Sequence, residues 1–120
     1  MNKPRIFFKA LPIALIVLFI LFFSGILKAS EKTAEISLPT IQCGMCVRTI
    51  EKALDKLGGV INIDIDVENK KALVTFDDTK TDLLKIEDAI TKAGYSVNEK
   101  KADEAAYKKL HSCCKLPEDR

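Results

Sequence analysis

The sequence predicts an α+β fold of order βαββαβ: a four-stranded antiparallel sheet with two helices on one face, preceded by an N-terminal hydrophobic helix. Three observations predict it. Ile61, Ile63, Ile65 and Val67 alternate with Asn62, Asp64 and Asp66, the period-two pattern of a half-buried strand. Val47, Ile50, Leu54 and Leu57 recur at helical spacing, and so do Leu83, Ile86, Ile90 and Ala93. An uncharged run over residues 10–27 precedes both patterns.

The N-terminus is membrane-directed. Lys3, Arg5 and Lys9 come before 18 uncharged residues rich in Leu, Ile and Phe. That run is near the lower limit for spanning a bilayer and long for a signal-peptide core. Positive charge ahead of it holds the N-terminus in the cytoplasm and sends the remainder out. The best cleavage position follows Ala29, but Leu27 and Lys28 depart from a small-x-small pattern. Residues 1–29 therefore read as an anchor with the domain on the periplasmic side, ahead of a cleaved signal that leaves a soluble periplasmic protein. A buried helix of the soluble domain is excluded, because the run has no polar face.

Residues 30–34 read as a polar linker. Ile36, Leu38 and Ile41 mark a first strand, and a helix begins at Val47 and stops at Gly58-Gly59. Residues 60–77 form a hairpin turning at Glu68-Asn69-Lys70, with Ala72, Val74 and Phe76 inward on its second strand. After the loop Asp77-Asp78-Thr79-Lys80, Thr81 is the expected N-cap and Asp82 suits the first turn. Gly94 is the expected C-cap, and Tyr95-Ser96-Val97-Asn98 the last strand. This is the split βαβ, ferredoxin-like sandwich, over residues 35–100. Unrelated functions share it, so it does not give the activity.

Composition narrows the function. Of 120 residues, about 90 follow the hydrophobic segment, enough for one small core. The formal charge of +2 comes from the N-terminus, since beyond it 15 basic residues face 17 acidic ones of interspersed sign. There is no basic face for nucleic acid, and without Trp there is no base-stacking surface. Asp77-Asp78 reads as solvated turn residues, and Lys70-Lys71 and Lys100-Lys101 as solvent-facing charge.

The chemistry lies in Cys43-Gly44-Met45-Cys46, between the first strand and the first helix. A helix N-terminus stabilises thiolates through its free N–H groups, and a short loop turns both sulfurs outward. Thiolates select soft ions such as Cu(I). Hg(II) accepts two sulfurs almost linearly and stays open to a third thiolate from a partner, so exchange is fast. Zn(II) and Cd(II) rank below Hg(II) and Cu(I): Zn(II) wants four ligands and the loop supplies two. The competing reading is a membrane-anchored thiol–disulfide oxidoreductase using the same pair in an oxidising compartment. Against it, no aromatic residue precedes the motif, no proline lies between Pro39 and Pro117, and the chain has no room for a thioredoxin core. A third reading is a metal buffer or sensor that passes nothing on. A binding protein, not an enzyme, is expected.

Residues 101–120 form a tail, with a helix over residues 102–112 ending in His111-Ser112-Cys113-Cys114. His111, Cys113 and Cys114 are candidate auxiliary ligands. The tail reads equally as a docking helix with incidental polar residues at its end. Four cysteines permit three full pairings, and a vicinal Cys113–Cys114 disulfide would be strained.

Ile41-Gln42-Cys43-Gly44-Met45-Cys46 at the strand–helix junction resembles the metal loop of heavy-metal-associated domains. The stretches Ala72-Leu73-Val74-Thr75-Phe76-Asp77-Asp78-Thr79-Lys80 and Lys92-Ala93-Gly94-Tyr95 are similar to the periplasmic mercury-binding branch of that family. The resemblance spans residues 34–99. The family's usual Gly-Met-Thr approach is replaced here by Thr40-Ile41-Gln42. The resemblance implies Cys43 and Cys46 as ligands of a soft ion, Hg(II) or Cu(I). It implies Ile41 packed beneath the loop and Tyr95 close to the ligands; Met45, read from the sequence itself, is an exposed loop residue between the two cysteines. It implies transfer to a membrane transporter or a metal-transporting ATPase by thiol exchange. It does not extend to the tail.

Overall fold

The computed structural model describes residues 7–23 and 30–120. The first helix, α1 (Phe7–Phe23), carries exposed apolar side chains from Ile13 to Ile20. Among the described residues no helix is long and apolar enough to cross a membrane. The 17 residues of α1 rise about 25 Å against a hydrocarbon core of about 30 Å. The last residues of the expected apolar run, 24–27, lie outside the described residues.

The domain proper has strand β1 (Glu31–Ser37), helix α2 (Gly44–Leu57), strands β2 (Val60–Asp66) and β3 (Lys71–Asp77), and helix α3 (Leu83–Lys92). The strands form one antiparallel sheet in the order β1-β3-β2. Register brings the inward residues into rows, with Ile36 and Ile65 flanking Ala72, and Ala34 and Ile63 flanking Val74. Ile36, Ala72 and Val74 meet Ile50 and Leu54 of α2 and Ile86 and Ile90 of α3 in one core. Both helices therefore cover one face of the sheet, while Leu73 and the Thr33–Thr75 pair remain on the open face.

Several expectations change. The linker expected at residues 30–34 is strand from Glu31 onward; β1 lies at the sheet edge and tolerates exposed polar residues there. Helix α2 begins at Gly44 rather than Val47. Ile61 is 51 % exposed, because a bulge between Val60 and Asn62 interrupts the alternation and turns it outward. The cap of α3 is Asp82, whose carboxylate accepts from the Lys85 N–H at 2.9 Å. Thr81 cannot serve, because it is buried and its hydroxyl has no partner. Ala93 is the C-cap, and Gly94 follows it at φ 101°. Asp77 is buried and accepts from Thr79, and Asp78 pairs with Lys32 at 2.8 Å.

The expected fourth strand does not form: among the described residues the sheet has three. Asn98 adopts φ 49° and turns the chain back, so Val97 bridges Lys100 rather than extending along β1. Among the described residues, the segment's hydrogen bonds to β1 all run through Ser37. Asn98 N–H donates to the Ser37 carbonyl at 2.9 Å, and Ser37 N–H donates to the Asn98 side-chain oxygen at 2.9 Å. The Asn98 amide also donates to buried Glu87 at 2.7 Å, tying β1 to α3. Lys100 is not a free surface charge, since it pairs with Glu87 and Asp88. The tail folds as a single short helix, α4 (Glu104–Lys108), followed by one-turn helices Ser112–Cys114 and Pro117–Asp119.

Candidate metal centre

The loop after β1 is held from three sides. Leu38 and Ile41 are fully buried beneath it. Lys70, expected as solvent-facing charge, donates its Nζ to the Ile41 carbonyl at 2.7 Å. Thr40 Oγ1 accepts from the Ser96 N–H at 3.0 Å, joining the loop to the segment that carries Tyr95. No local pattern marks Lys70 for this role, since its partner lies 29 residues away.

Cys43 is the N-cap residue of α2, in extended conformation, and its carbonyl accepts from the Cys46 N–H at 3.0 Å. Its sulfur makes no capping hydrogen bond but lies where the first-turn N–H groups converge. The Cys46 N–H chiefly, then the Met45 N–H and the Cys46 and Cys113 thiols, draw its pKa down to about 7 against opposing burial. Cys46 is fully buried, with its Sγ 3.7 Å from that of Cys43. All four cysteines are free thiols.

The tail returns to this loop. Ala102 N–H donates to Ser96 Oγ at 3.1 Å, Asp103 N–H to the Thr91 carbonyl at 3.0 Å, and Leu110 packs on the core. A Cβ on Gly94 would stand 3.1 Å from the Ala106 backbone, so only glycine lets α4 lie this close. Docking puts Cys114 into the core at 2 % exposure and leaves Cys113 exposed above it. The sulfurs of Cys43, Cys113 and Cys114 all lie within 4.8 Å of one another, and Cys113 Sγ is 3.7 Å from Met45 Sδ. His111 is exposed and is not part of this group. Burial, and next the Cys46 thiol, push the Cys114 thiol up to about 12.

Tyr95 is wholly buried. Among the described residues its hydroxyl finds no hydrogen-bonding oxygen or nitrogen, and it stands beside the Cys46 and Cys114 thiols. Burial first, and those thiols next, raise its pKa well above the usual phenol range, so the ring stays neutral. Tyr95 is thus a neutral wall behind the sulfurs, Met45 flanks them at the surface, and Ile41 lies below.

The family model described as heavy-metal-associated domain matches residues 35–96. The chain is similar to the mercuric transport protein periplasmic component of Shewanella putrefaciens, 41% identical over 83 residues that cover 69% of this chain and 90% of that one. Among solved structures it is similar to oxidised MerP from Ralstonia metallidurans CH34, at 38% identity and a TM-score of 0.54, covering 57% of this chain and 96% of that one. It is also similar to the CopZ metallochaperone, at 32% identity and a TM-score of 0.53, covering 55% and 98%.

Proposed function

Because the chain belongs to the heavy-metal-associated domain family, we infer that it captures a soft metal ion between Cys43 and Cys46 and passes it to a thiol-bearing partner. The observation that carries this reading is the placement of the two sulfurs 3.7 Å apart at the N-terminus of α2, whose first-turn N–H groups lower the Cys43 pKa to about 7. A thiolate already formed is ready to attack an arriving ion, and Cys46 closes on it from within. Names of the relatives favour Hg(II), through the mercuric transport protein, or Cu(I), through the metallochaperone. The ion is cargo, and the protein has no reaction to catalyse.

The partner is a membrane metal transporter or a metal-transporting ATPase whose own cysteine displaces one of the two sulfurs. Export of the domain is supported by the basic N-terminus ahead of α1, by the apolar side chains that α1 leaves exposed, and by the periplasmic relatives. Retention of residues 1–29 as an anchor is the favoured form. The mass of the mature protein tests it, because removal of the segment would leave a chain beginning near Ser30.

The test of capture is metal uptake by the reduced full-length chain, read by native mass spectrometry with Hg(II) and Cu(I) each supplied alone. One ion per chain is expected. Cys43→Ser/Cys46→Ser is expected to weaken it at least about 100-fold, since losing an outer-sphere partner alone costs 10–100-fold. Undiminished uptake by that double variant would sink the reading.

A further inference from the structure

The two tail thiols lie outside the matched family region, yet the fold delivers them to the loop. We propose that Cys43, Cys113 and Cys114 form a three-thiolate site for a divalent ion that prefers three or four sulfurs to two, of the Cd(II) and Zn(II) class. The proposal rests on the capture reading in one respect: Cys43 is shared by the Cys43–Cys46 pair and by the three-sulfur group.

Spacing points to this class of ion. A metal–sulfur bond of about 2.3 Å places the sulfurs of a tetrahedral site about 3.8 Å apart and those of a trigonal site about 4.0 Å apart. A linear two-sulfur ion at the same bond length needs about 4.6 Å. Cys113 and Cys114 are 3.9 Å apart, the spacing of a three- or four-sulfur site, and Cys43 lies within 4.8 Å of both as the third sulfur. The tail would supply the further sulfurs whose absence from the loop placed Zn(II) and Cd(II) below Hg(II) and Cu(I).

The site is also built rather than incidental. Cys114 is anchored in the core and approaches from below, with its N–H bonded to the His111 carbonyl at 2.8 Å. Cys113 approaches from the solvent side, beside the Met45 thioether. Tyr107 holds the turn between α4 and the C-terminus, accepting from the Leu116 N–H at 2.9 Å and donating to Asp119 at 2.7 Å. Three sulfurs held in place before the ion arrives lose little further freedom on binding it. Each thiol gives its proton to solvent as its metal–sulfur bond forms, so the site and a divalent ion together carry one negative charge.

The test uses the full-length chain, reduced and anaerobic in mild detergent, with Cd(II) as probe. Two readouts count sulfurs: thiolate-to-cadmium charge-transfer absorption and the cadmium NMR shift. Wild type is expected to show a three-sulfur signature. His111→Ala, at an exposed residue outside the sulfur group, should leave that signature and the Cd(II) affinity essentially intact. Cys113→Ser/Cys114→Ser breaks the triad and should cost at least about 100-fold in Cd(II) affinity. Hg(II) or Cu(I) uptake on Cys43 and Cys46 should persist in that variant. Because Cys114 is a core residue, the single Cys113→Ser variant repeats the test without disturbing packing; its signature should drop to two sulfurs. Unchanged Cd(II) binding in the tail variants overturns the proposal, as does loss of Cd(II) in His111→Ala. Hg(II) and Cu(I) uptake indifferent to Cys46→Ser would instead defeat the capture reading and leave the triad standing.

Discussion

Cys43 and Cys114 are chemically the same side chain in opposite environments. Cys43 sits where the first-turn N–H groups of α2 converge, and these favour its thiolate. Cys114 sits in the core, where desolvation favours its thiol. Alkylation should separate them in the reduced, metal-free chain. Lowering the pKa of Cys43 to about 7 makes its thiolate fraction rise through neutrality and level off above it. Its rate of modification by iodoacetamide should therefore climb about tenfold between pH 6 and pH 8 and then flatten, while Cys114 stays inert throughout that range. Peptide mapping after timed quenching reads both. A Cys43 that alkylates with an ordinary thiol profile, still rising steeply beyond pH 8, would show that the helix terminus does not act on it. Tyr95 belongs at this scale too: its pairing with the loop was legible as a resemblance, but its position against both Cys46 and Cys114 required the tail.

The sequence periodicities mark the elements well where one face is buried and poorly where it is not. Strand β3 and the buried faces of α2 and α3 follow the alternation and the helical spacing, and β2 does so beyond its bulge at Ile61. The outer half of β1 has no such pattern, because an edge strand pairs through its backbone and leaves its side chains in water. The missing fourth strand has a different cause. Tyr95 and Val97 are both fully buried, as a strand would have them, but the left-handed turn at Asn98 ends the pairing after one contact. Gly94 is the backbone position that governs the docking of α4. It takes φ 101° and leaves room for the Ala106 carbonyl. Gly94→Ala should destabilise the domain by about 2 kcal/mol, the sum of backbone strain and a forced shift of α4. Urea denaturation of the reduced chain measures it. A midpoint equal to wild type would mean that α4 yields at no cost and does not hold the tail thiols in place.

At the scale of the molecule, the tail is the lid of the candidate metal centre as well as part of its core. Cys46 is wholly covered, and the Cys114 side chain is one of the groups beside it. Ending the chain at Lys100 should uncover it, so Cys46 alkylation at fixed pH should accelerate at least about tenfold, as expected when a buried thiol gains solvent. Equal rates would show that α2 and Tyr95 alone bury it. The Cys43–Cys46 motif and the α+β class were legible in the sequence by itself, because spacing and alternation are local properties of a chain. Whether Cys113 and Cys114 are ligands or incidental residues was not legible, since Met45 and Cys113 are 68 positions apart. Only tertiary packing decides their approach. A glycine at position 94, an asparagine turning the chain at 98 and a core that admits Cys114 act together to fold the tail onto the loop. The tertiary structure thereby turns a two-sulfur motif into a four-thiol neighbourhood, because sulfurs remote in sequence can share an ion only when packing holds them within one bond length of it.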